Sequence, residues 1–414
     1  MPAAQVRAID GVVQTALADQ QVPGASVAVV RGGRVVFARG YGLRDASRAL
    51  PADATTRYGV GSLTKTLVAA LTLQLAEERR LSLDDSVATW LPAFSGDRAV
   101  TVRDLLSLRA GIRDYNDAAF VAGLPAAFLP GRADRPAILR KLATLPTKFP
   151  PGSAFDYSNA DFLVLGAILE RAGGAPLPAL LHDRIFAPLG MADTQLGDAP
   201  GGDDATGYTK GPLGPVAVAQ WDPQLTYAAG GIRSSALDIA RFDAALCAHR
   251  IVSAPAFGAM TLAGKPIGAE SRYGLGLFAH DDPDGRRVAW HDGTVLGFKA
   301  MNVLVPQSCD AVVVLANADY AHAPALGLQV ERATFGGPPL VPEPLDLALP
   351  RWSEAIGAAL ALALLAASLL LRRRITFAVV AAALAYAAAA TWLPAGIVAF
   401  GAGVAVVAWP SRRV

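Results

Sequence analysis

The chain has 414 residues, of which 53% are apolar and only 17% charged, a composition that excludes a disordered protein and fits two or three units. The net charge is +2, and residues 351–414 hold six arginines against one glutamate, so the first 350 residues carry a small negative charge. That balance excludes a basic nucleic-acid surface on the main body, and no nucleic acid is expected as a partner. Two cysteines, Cys247 and Cys309, are too few for a disulfide scaffold or a zinc ribbon and say little about the redox compartment.

Strand patterns at both ends of the main body flank a mostly helical middle. Apolar spacing predicts helices over 4–20, 62–80, 101–109, 160–172 and 235–248. Strands are predicted over 25–31 and 34–41, joined by Gly32-Gly33, and over 273–279, 287–291, 299–305 and 311–317. Residues 196–222 are predicted to form loops, and 335–350 a Pro-rich linker. The layout predicts an α+β domain over 1–334 whose antiparallel sheet gathers both ends of the chain.

The segment 351–414 has the composition of membrane helices. Residues 355–371 and 375–411 contain no charged residue, and a membrane helix needs about 20 apolar residues. A break at Leu393-Pro394 divides the second run, so we predict spans over 354–371, 375–392 and 395–410. Two spans with a re-entrant tail remain an alternative because the third is short, and a buried core helix is a weaker one.

The arginines predict how this segment is oriented. Three spans would place Arg372–Arg374 and Arg412–Arg413 on one side, which the positive-inside rule makes cytoplasmic. The main body would then face the periplasm or the outside. Residues 1–30 contain no signal peptide, so either the true start lies upstream or the body is cytoplasmic. We favour an upstream start, because six arginines against one glutamate in residues 351–414 agree with a cytoplasmic side for Arg372–Arg374 and Arg412–Arg413.

Several common catalytic motifs do not occur in the sequence. It contains no Gly-x-Ser-x-Gly, His-Glu-x-x-His, Walker loop or Cys-x-x-Cys. Metal-ligand spacing is also missing among its histidines, which are His182, His249, His280, His291 and His322. The sequence therefore implies neither a metal nor a cofactor.

A serine and a lysine stand three apart at the start of the predicted helix 62–80, in Ser62-Leu63-Thr64-Lys65. This spacing puts both side chains on one side of a helical turn. At a first turn the backbone N–H groups are unpaired, so a serine there can lose its proton to the amine while its own N–H binds an oxyanion. By itself the motif is weak, and Ser62 as a plain N-cap is the alternative.

Two further segments favour a functional role for the Ser62 site. Tyr157-Ser158-Asn159 precedes a predicted helix, where a phenol and an amide two residues apart can point into one cleft. His291-Asp292-Gly293-Thr294 ends a predicted strand, where a glycine lets a substrate backbone come close.

Taken together, these segments resemble the serine β-lactamase and penicillin-binding-protein superfamily, in its class C-like branch. That branch includes class C β-lactamases, D,D-carboxypeptidases, D-aminopeptidases and family VIII esterases. The resemblance covers about residues 10–320. It is carried by residues 58–65, 81–85, 101–111, 157–159 and 229–232. It implies a β-lactamase/transpeptidase-like fold, in which an antiparallel sheet with flanking helices is joined to a helical subdomain.

The resemblance also implies roles for individual residues. Ser62 would be the acylated nucleophile, and Lys65 would either take its proton or hold Tyr157 as a phenolate that does so. Asn159 would bind the acyl side of the substrate. The backbone N–H groups of Ser62 and Thr294 would form the oxyanion hole.

One departure from the family pattern concerns the substrate. His291-Asp292-Gly293 stands where class C β-lactamases carry Lys-Thr-Gly, and a mostly neutral histidine beside an aspartate offers little to an anionic β-lactam. Asp292 would repel a substrate carboxylate and favour neutral esters or free amines, unless it points away from the cleft and only caps the turn.

We therefore predict a membrane-anchored serine hydrolase, with an esterase or a D-amino-acid peptidase favoured over a proficient β-lactamase. Its partners would be the lipid bilayer and a small-molecule or peptide substrate, such as an ester, a D-amino-acid peptide or a β-lactam. The alternative is a non-hydrolytic, penicillin-binding-like sensor or binding module anchored in the membrane.

Overall fold

The computed structural model describes residues 1–335 apart from 96–99, 116–133, 198–200, 202–203, 212–213, 220–222, 262–263, 268–270 and 282–284. All of them belong to one unit, Met1–Pro342. The predicted linker beyond Phe335 and the spans 354–371, 375–392 and 395–410 lie outside the described residues. Within the described ranges, no single helix is long and apolar enough to cross a membrane, although the bent pair Asn159–Gly173 and Leu177–Leu189 meets the criteria of length and composition.

The strands form three sheets in which all paired strands are antiparallel. In chain order they are β1 Gly24–Arg31, β2 Arg34–Asp45, β3 Leu50–Pro51, β4 Tyr58–Gly59, β5 Gln195–Leu196, β6 Tyr208–Gly211, β7 Gly214–Ala217, β8 Ile232–Ser234, β9 Lys265–Ile267, β10 Ser271–Tyr273, β11 Phe278–Asp281, β12 Arg287–Val295, β13 Phe298–Val305 and β14 Asp310–Ala316.

The described helices lie mainly between β4 and β9. They are α1 Ala3–Gln20, α2 Thr64–Glu77, α3 Val87–Trp90, α4 Val102–Leu106, α5 Arg135–Thr144, α6 Asn159–Gly173, α7 Leu177–Leu181, α8 Ala187–Leu189, α9 Pro223–Gly230, α10 Ala236–Cys247, α11 Ala254–Thr261 and α12 Ala323–Phe335. Short 3₁₀ turns cover Gly61–Leu63 and Pro92–Phe94, and a π-helical turn covers His182–Phe186.

The central sheet joins the two ends of the domain, as predicted. Its order is β3-β2-β1-β14-β13-β12-β11-β10-β9, so β1 near the start of the chain pairs with β14 near the end of the domain. Both strands are rich in Val and Ala and are almost wholly buried, which fits central strands covered on both faces. The α+β layout is therefore confirmed.

Two layers of helices cover the central sheet. On one face, α1 and α12 pack over side chains such as Val27, Met301 and Val314. On the other face, α10 covers β1 and β14, and the larger core continues there into α2 and α6 of the helical subdomain. Because α2 is buried on almost every side, its sequence is apolar around the whole helix rather than along one stripe.

Several predicted bounds need correction. The helix predicted over 62–80 begins as a 3₁₀ turn and ends at Glu77, and the loops predicted over 196–222 contain the hairpin β6–β7. The strand predicted over 273–279 is two strands, because Gly274 N donates to Leu277 O at 2.8 Å and closes a turn between them. The helix predicted over 101–109 is only Val102–Leu106, but Thr101 is its N-cap as expected, in a capping box with Asp104.

The two cysteines form a disulfide bond that the sequence did not indicate. Cys247 is the last residue of α10, and Cys309 lies in the turn between β13 and β14. The bond closes a loop between residues 62 apart in the chain and fastens the helix to the sheet that it covers.

Candidate active site

Ser62 lies in the 3₁₀ turn that leads directly into α2. The turn is held from behind by β8, because Val60 N donates to Ile232 O at 3.1 Å and Ile232 N donates to Thr64 Oγ1 at 3.1 Å. The Ser62 side chain is half-buried and accessible. It makes no capping hydrogen bond to the helix, so the alternative of a plain N-cap is wrong.

The amine of Lys65 has three hydrogen-bond acceptors around it. Nζ donates to Ser62 Oγ at 3.1 Å, to Asn159 Oδ1 at 2.8 Å and to the backbone carbonyl of Ala229 at 2.8 Å. The side chain is 0% exposed. The predicted serine–lysine contact within one turn is present, and Asn159 contacts the amine directly.

Burial changes the acid–base behaviour of this amine. Desolvation lowers the pKa of Lys65 from 10.5 to about 7, although the charges of Asp114, Asp292 and Asp161 act in the opposite direction. A lysine with a pKa near 7 is largely neutral in mildly alkaline solution, and a neutral amine has a lone pair that can accept a proton.

Tyr157 and Asn159 enter the site from the loop before α6. Asn159 N donates to Asp114 Oδ2 at 2.6 Å, and Ser158 Oγ donates to Ile112 O at 3.3 Å, so two bonds hold the loop. The Lys65 Nζ lies 4.9 Å from the centroid of the Tyr157 ring. Burial raises the pKa of Tyr157 far above its ordinary value, although a hydrogen bond with Ser62 acts in the opposite direction. The phenol therefore stays protonated.

The edge of β12 runs alongside the Ser62 turn. A Cβ at Gly293 would lie 1.9 Å from Val60 O and 3.2 Å from Ser62 N, so no other residue fits there. Gly61, with a φ of +52°, would place a Cβ 2.7 Å from Thr294 N. These close approaches place the Ser62 turn and the Thr294 backbone against each other, with each backbone nitrogen next to a glycine of the other segment.

His291 is buried behind this edge as a neutral ring. Its Nδ1 lies 2.5 Å from the Asp292 carbonyl oxygen, which only accepts, so Nδ1 carries the proton and Nε2 accepts from Tyr273 OH at 3.3 Å. Burial lowers the pKa of His291 well below its ordinary value, although the nearby Asp292 charge raises it. The ring therefore provides no positive charge for an anionic substrate.

Asp292 lies on the opposite side of β12 from His291, in register with Met301. Its side chain is half-buried, and its charge raises the pKa of both Lys65 and Tyr157, so the carboxylate acts on the reacting groups. Among the residues that the structure describes, none pairs with that carboxylate. Its register partner Met301 faces α1 and α12, so the alternative in which Asp292 points away from the cleft stays open.

Sequence reasoning missed three contributors to this site. Asp114 fixes the Asn159 backbone, Tyr273 fixes the His291 ring, and the Ala229 carbonyl accepts a hydrogen bond from Lys65 Nζ. The segment 229–232 carried a family resemblance, but a backbone acceptor has no side-chain signature. The Arg113-Asp114-Tyr115 run also lacked any spacing that would have linked it to residue 159.

Comparison with known proteins identifies the family. A protein-family profile described as Beta-lactamase matches residues 9–334. The chain is 32% identical over 287 residues to a D-aminopeptidase of Brucella anthropi, which is 67% of this chain and 52% of that protein. It is 30% identical over 323 residues to a D-aminopeptidase of Cereibacter sphaeroides, which is 74% of this chain and 59% of that protein. The matches thus span between half and two thirds of these relatives.

Solved structures show the same architecture. The penicillin-binding protein homologue from Pyrococcus abyssi superposes with a TM-score of 0.71 at 27% identity, covering 81% of this chain and 78% of that one. A D-stereospecific amidohydrolase from Streptomyces sp. gives a TM-score of 0.68 at 28% identity, covering 81% and 99%. The expected β-lactamase/transpeptidase-like fold is confirmed, and the chain belongs to the Beta-lactamase family, within the serine β-lactamase and penicillin-binding-protein superfamily.

Proposed function

We propose that this protein is a serine hydrolase that cleaves amide bonds of D-amino-acid substrates bearing a free amine, through an acyl-enzyme on Ser62. The observation that carries the proposal is the 3.1 Å contact between Ser62 Oγ and the buried Lys65 amine, whose other two neighbours are fixed acceptors. Similarity to D-aminopeptidases and to a D-stereospecific amidohydrolase supports the substrate class.

In the first step, Ser62 Oγ attacks the substrate carbonyl carbon. Its proton passes to neutral Lys65, because the two N–H groups of that amine bond Asn159 Oδ1 and Ala229 O and leave the lone pair for Ser62. The negative charge that develops on the carbonyl oxygen is met by the N–H groups of Ser62 and Thr294. Tyr157 does not serve as a phenolate base in this mechanism, because its phenol stays protonated.

In the second step, the C–N bond breaks and the leaving nitrogen needs a proton. Tyr157, which is hydrogen-bonded to Ser62, donates its phenolic proton to that nitrogen and is reprotonated by the Lys65 ammonium. Water then attacks the acyl carbon and gives one proton to Lys65. As the bond between that carbon and Ser62 Oγ breaks, Lys65 returns the proton to Oγ at 3.1 Å, and the acid is released. The sequence of transfers leaves every group in its starting state.

The substrate class follows from the charges at the cleft. Neutral His291 and the Asp292 carboxylate, which none of the described residues pairs with, disfavour a substrate carboxylate and favour an ammonium group. The test is hydrolysis of D- and L-amino-acid p-nitroanilides, their N-acetyl derivatives, a short p-nitrophenyl ester and a cephalosporin. We expect the free D-amino-acid anilides to show the highest kcat/KM. Equal rates for N-acetylated and free substrates would contradict the proposal, and hydrolysis of the ester alone would assign an esterase.

Replacing Asp292 with asparagine should change specificity in two opposite directions. Two charges several ångströms apart and partly screened by water attract or repel each other by about 1.4 kcal/mol, which is about tenfold in kcat/KM. We therefore expect Asp292→Asn to lose about tenfold in kcat/KM for the free-amine anilide and to gain about as much for the cephalosporin. The short neutral ester is the control and should not change when all three substrates are compared well above pH 7, where Lys65 is neutral in both proteins. Parallel changes for all three substrates would show that Asp292 does not select by charge.

We further propose that the domain is membrane-anchored and faces the non-cytoplasmic side. The arginines of 372–374 and 412–413 support this topology, and so does the disulfide Cys247–Cys309, since disulfides persist mainly in oxidising compartments. Reporter fusions at residue 345 and at the C-terminus should report opposite sides of the membrane. The same side for both would refute three spans, and a cytoplasmic reporter at 345 would refute the orientation.

A further inference from the structure

The backbone is strained at Tyr227, close to the site but outside it. Tyr227 has a φ of 25° and a ψ of −120°, which interrupts α9 two residues before Ala229. L-residues with bulky side chains rarely adopt positive φ, and such conformations persist only where the surroundings enforce them. Ala229 supplies the carbonyl that accepts from Lys65 Nζ at 2.8 Å.

Side chains from two other helices enforce this conformation. Tyr227 OH donates to Glu170 Oε1 at 2.6 Å, and the Arg135 guanidinium lies 3.7 Å from the centroid of the Tyr227 ring. Arg135 also pairs with Glu170 at 3.3 Å, so α5, α6 and α9 meet in one triad. Tyr227 is only 3% exposed. We call Tyr227, Glu170 and Arg135 the tyrosine clamp.

The clamp leaves little freedom for the residues that follow it. Gly231 N donates to Tyr227 O at 2.7 Å and closes a turn around Ala229. The next residue, Ile232, is fixed by two hydrogen bonds. Its N–H donates to Thr64 Oγ1, and its carbonyl accepts from Val60 N. The Ala229 carbonyl therefore lies on a short segment fastened at both ends, one of which is the strained tyrosine.

We propose that Tyr227 is a positioning residue, which fixes the Ala229 carbonyl through the tyrosine clamp and so aims the Lys65 lone pair at Ser62. The proposal rests on the proposed function, in which Lys65 is the base that activates Ser62.

A neutral amine explains why the carbonyl position matters. It has two N–H groups and one lone pair, and rotation about the Cε–Nζ bond decides where the lone pair points. Two fixed acceptors, Asn159 Oδ1 and Ala229 O, hold the N–H groups, and the lone pair then faces Ser62 Oγ at 3.1 Å. With one acceptor displaced, the amine has another orientation available, and a misplacement of about 1 Å can cost about 10²-fold in rate.

The clamp also leaves a signature in the pH dependence. The Ala229 carbonyl stabilises the ammonium form of Lys65, so displacing this carbonyl lowers the pKa of the amine. The acidic limb of the pH–rate profile, where the rate falls as Lys65 becomes protonated, then shifts to lower pH. The other groups that act on Lys65 remain in place in a clamp variant: Asp114 before α5, Tyr157 and Asp161 at the start of α6, and His291 and Asp292 on β12. In Tyr227→Phe, which removes no charge, the shift therefore reports the position of the Ala229 carbonyl.

The experiment compares Tyr227→Phe with Tyr41→Phe in the full chain. Tyr41 forms a similar triad far from the site: its OH donates to Asp10 at 2.8 Å, Asp10 pairs with Arg39 at 2.7 Å, and the ring is 6% exposed. The readout is the rate of Ser62 phosphonylation by a fluorophosphonate from pH 5 to pH 9, with the melting temperature measured alongside. Glu170→Ala and Glu170→Gln extend the series, since glutamine keeps an oxygen acceptor for Tyr227.

We expect Tyr227→Phe and Glu170→Ala to slow phosphonylation about tenfold or more, with an acidic limb at lower pH. Glu170→Gln should restore much of the rate. Tyr41→Phe should change neither the rate nor its pH dependence, even if it lowers the melting temperature. A Tyr227→Phe profile that superimposes on the wild type, or equal effects in Tyr41→Phe, would overturn the positioning role. If the wild type itself is not labelled on Ser62, the proposed function fails and this role fails with it.

Discussion

Ser62→Ala is expected to lose essentially all turnover of every substrate that the wild type cleaves. Without the hydroxyl there is no oxygen to form the ester intermediate, and the remaining oxyanion donors act only on unassisted attack by water. Removal of a nucleophile from a coupled serine–base unit lowers kcat by roughly 10⁶-fold. The expected rate is therefore at the background of the assay.

The fold should survive this change. The Ser62 side chain is half-buried, caps no helix and bonds only within the site, so alanine leaves no apolar cavity and no stranded backbone group. Ser107→Ala is the matched control, because Ser107 is also half-buried and donates only to nearby backbone oxygens of α4. It should keep wild-type activity. Substantial turnover by Ser62→Ala, at an unchanged melting temperature, would assign the nucleophile elsewhere.

Lys65→Ala is expected to lower kcat/KM by about 10²–10⁴-fold, the usual contribution of a positioned general base. In the wild type the same group should set the acidic limb of the pH profile. The active form is the neutral amine, so kcat/KM should be flat well above pH 7 and fall about tenfold per pH unit below it, with an apparent pKa of about 7. Protonation removes the lone pair, which fixes the sign of this dependence.

The variant and its control separate this base from other titrating groups. Lys65→Ala should show a low rate without the decline in rate near pH 7. Lys141→Ala, in the last turn of α5, should keep the wild-type rate and its pH dependence. A limb near pH 7 that survives in Lys65→Ala would place the base on another residue. Burial holds the pKa of His291 low and that of Tyr157 high, so neither is expected to titrate in that window.

Local patterns in the sequence predicted much of this arrangement. The spacing of Ser62 and Lys65 within one helical turn was enough to place Nζ beside Oγ, because an α-helix brings such residues to one face. The hairpin β1–β2 followed from its Val-rich strands around Gly32-Gly33. The order of the motifs, through the family resemblance, placed Asn159 and the β12 edge in the same cleft.

Contacts made by the backbone or between distant segments had no such signal. The Ala229 carbonyl is an acceptor whatever its side chain is, and the strain at Tyr227 arises from a clamp spread over three helices. The pairing of Cys247 with Cys309 depends on how α10 crosses the sheet. Strand alternation placed Asp292 opposite His291 but could not show that its charge reaches Lys65.

Mass spectrometry of a covalent adduct tests the central claim most directly. The full-length protein is treated with a fluorophosphonate, digested and sequenced, with Ser62→Ala treated in parallel. The predicted result is a single phosphonylated residue, Ser62, formed faster at pH 8 than at pH 6 as the Lys65 amine becomes neutral. An adduct on another residue, equal labelling of Ser62→Ala, or no adduct at all would contradict the account.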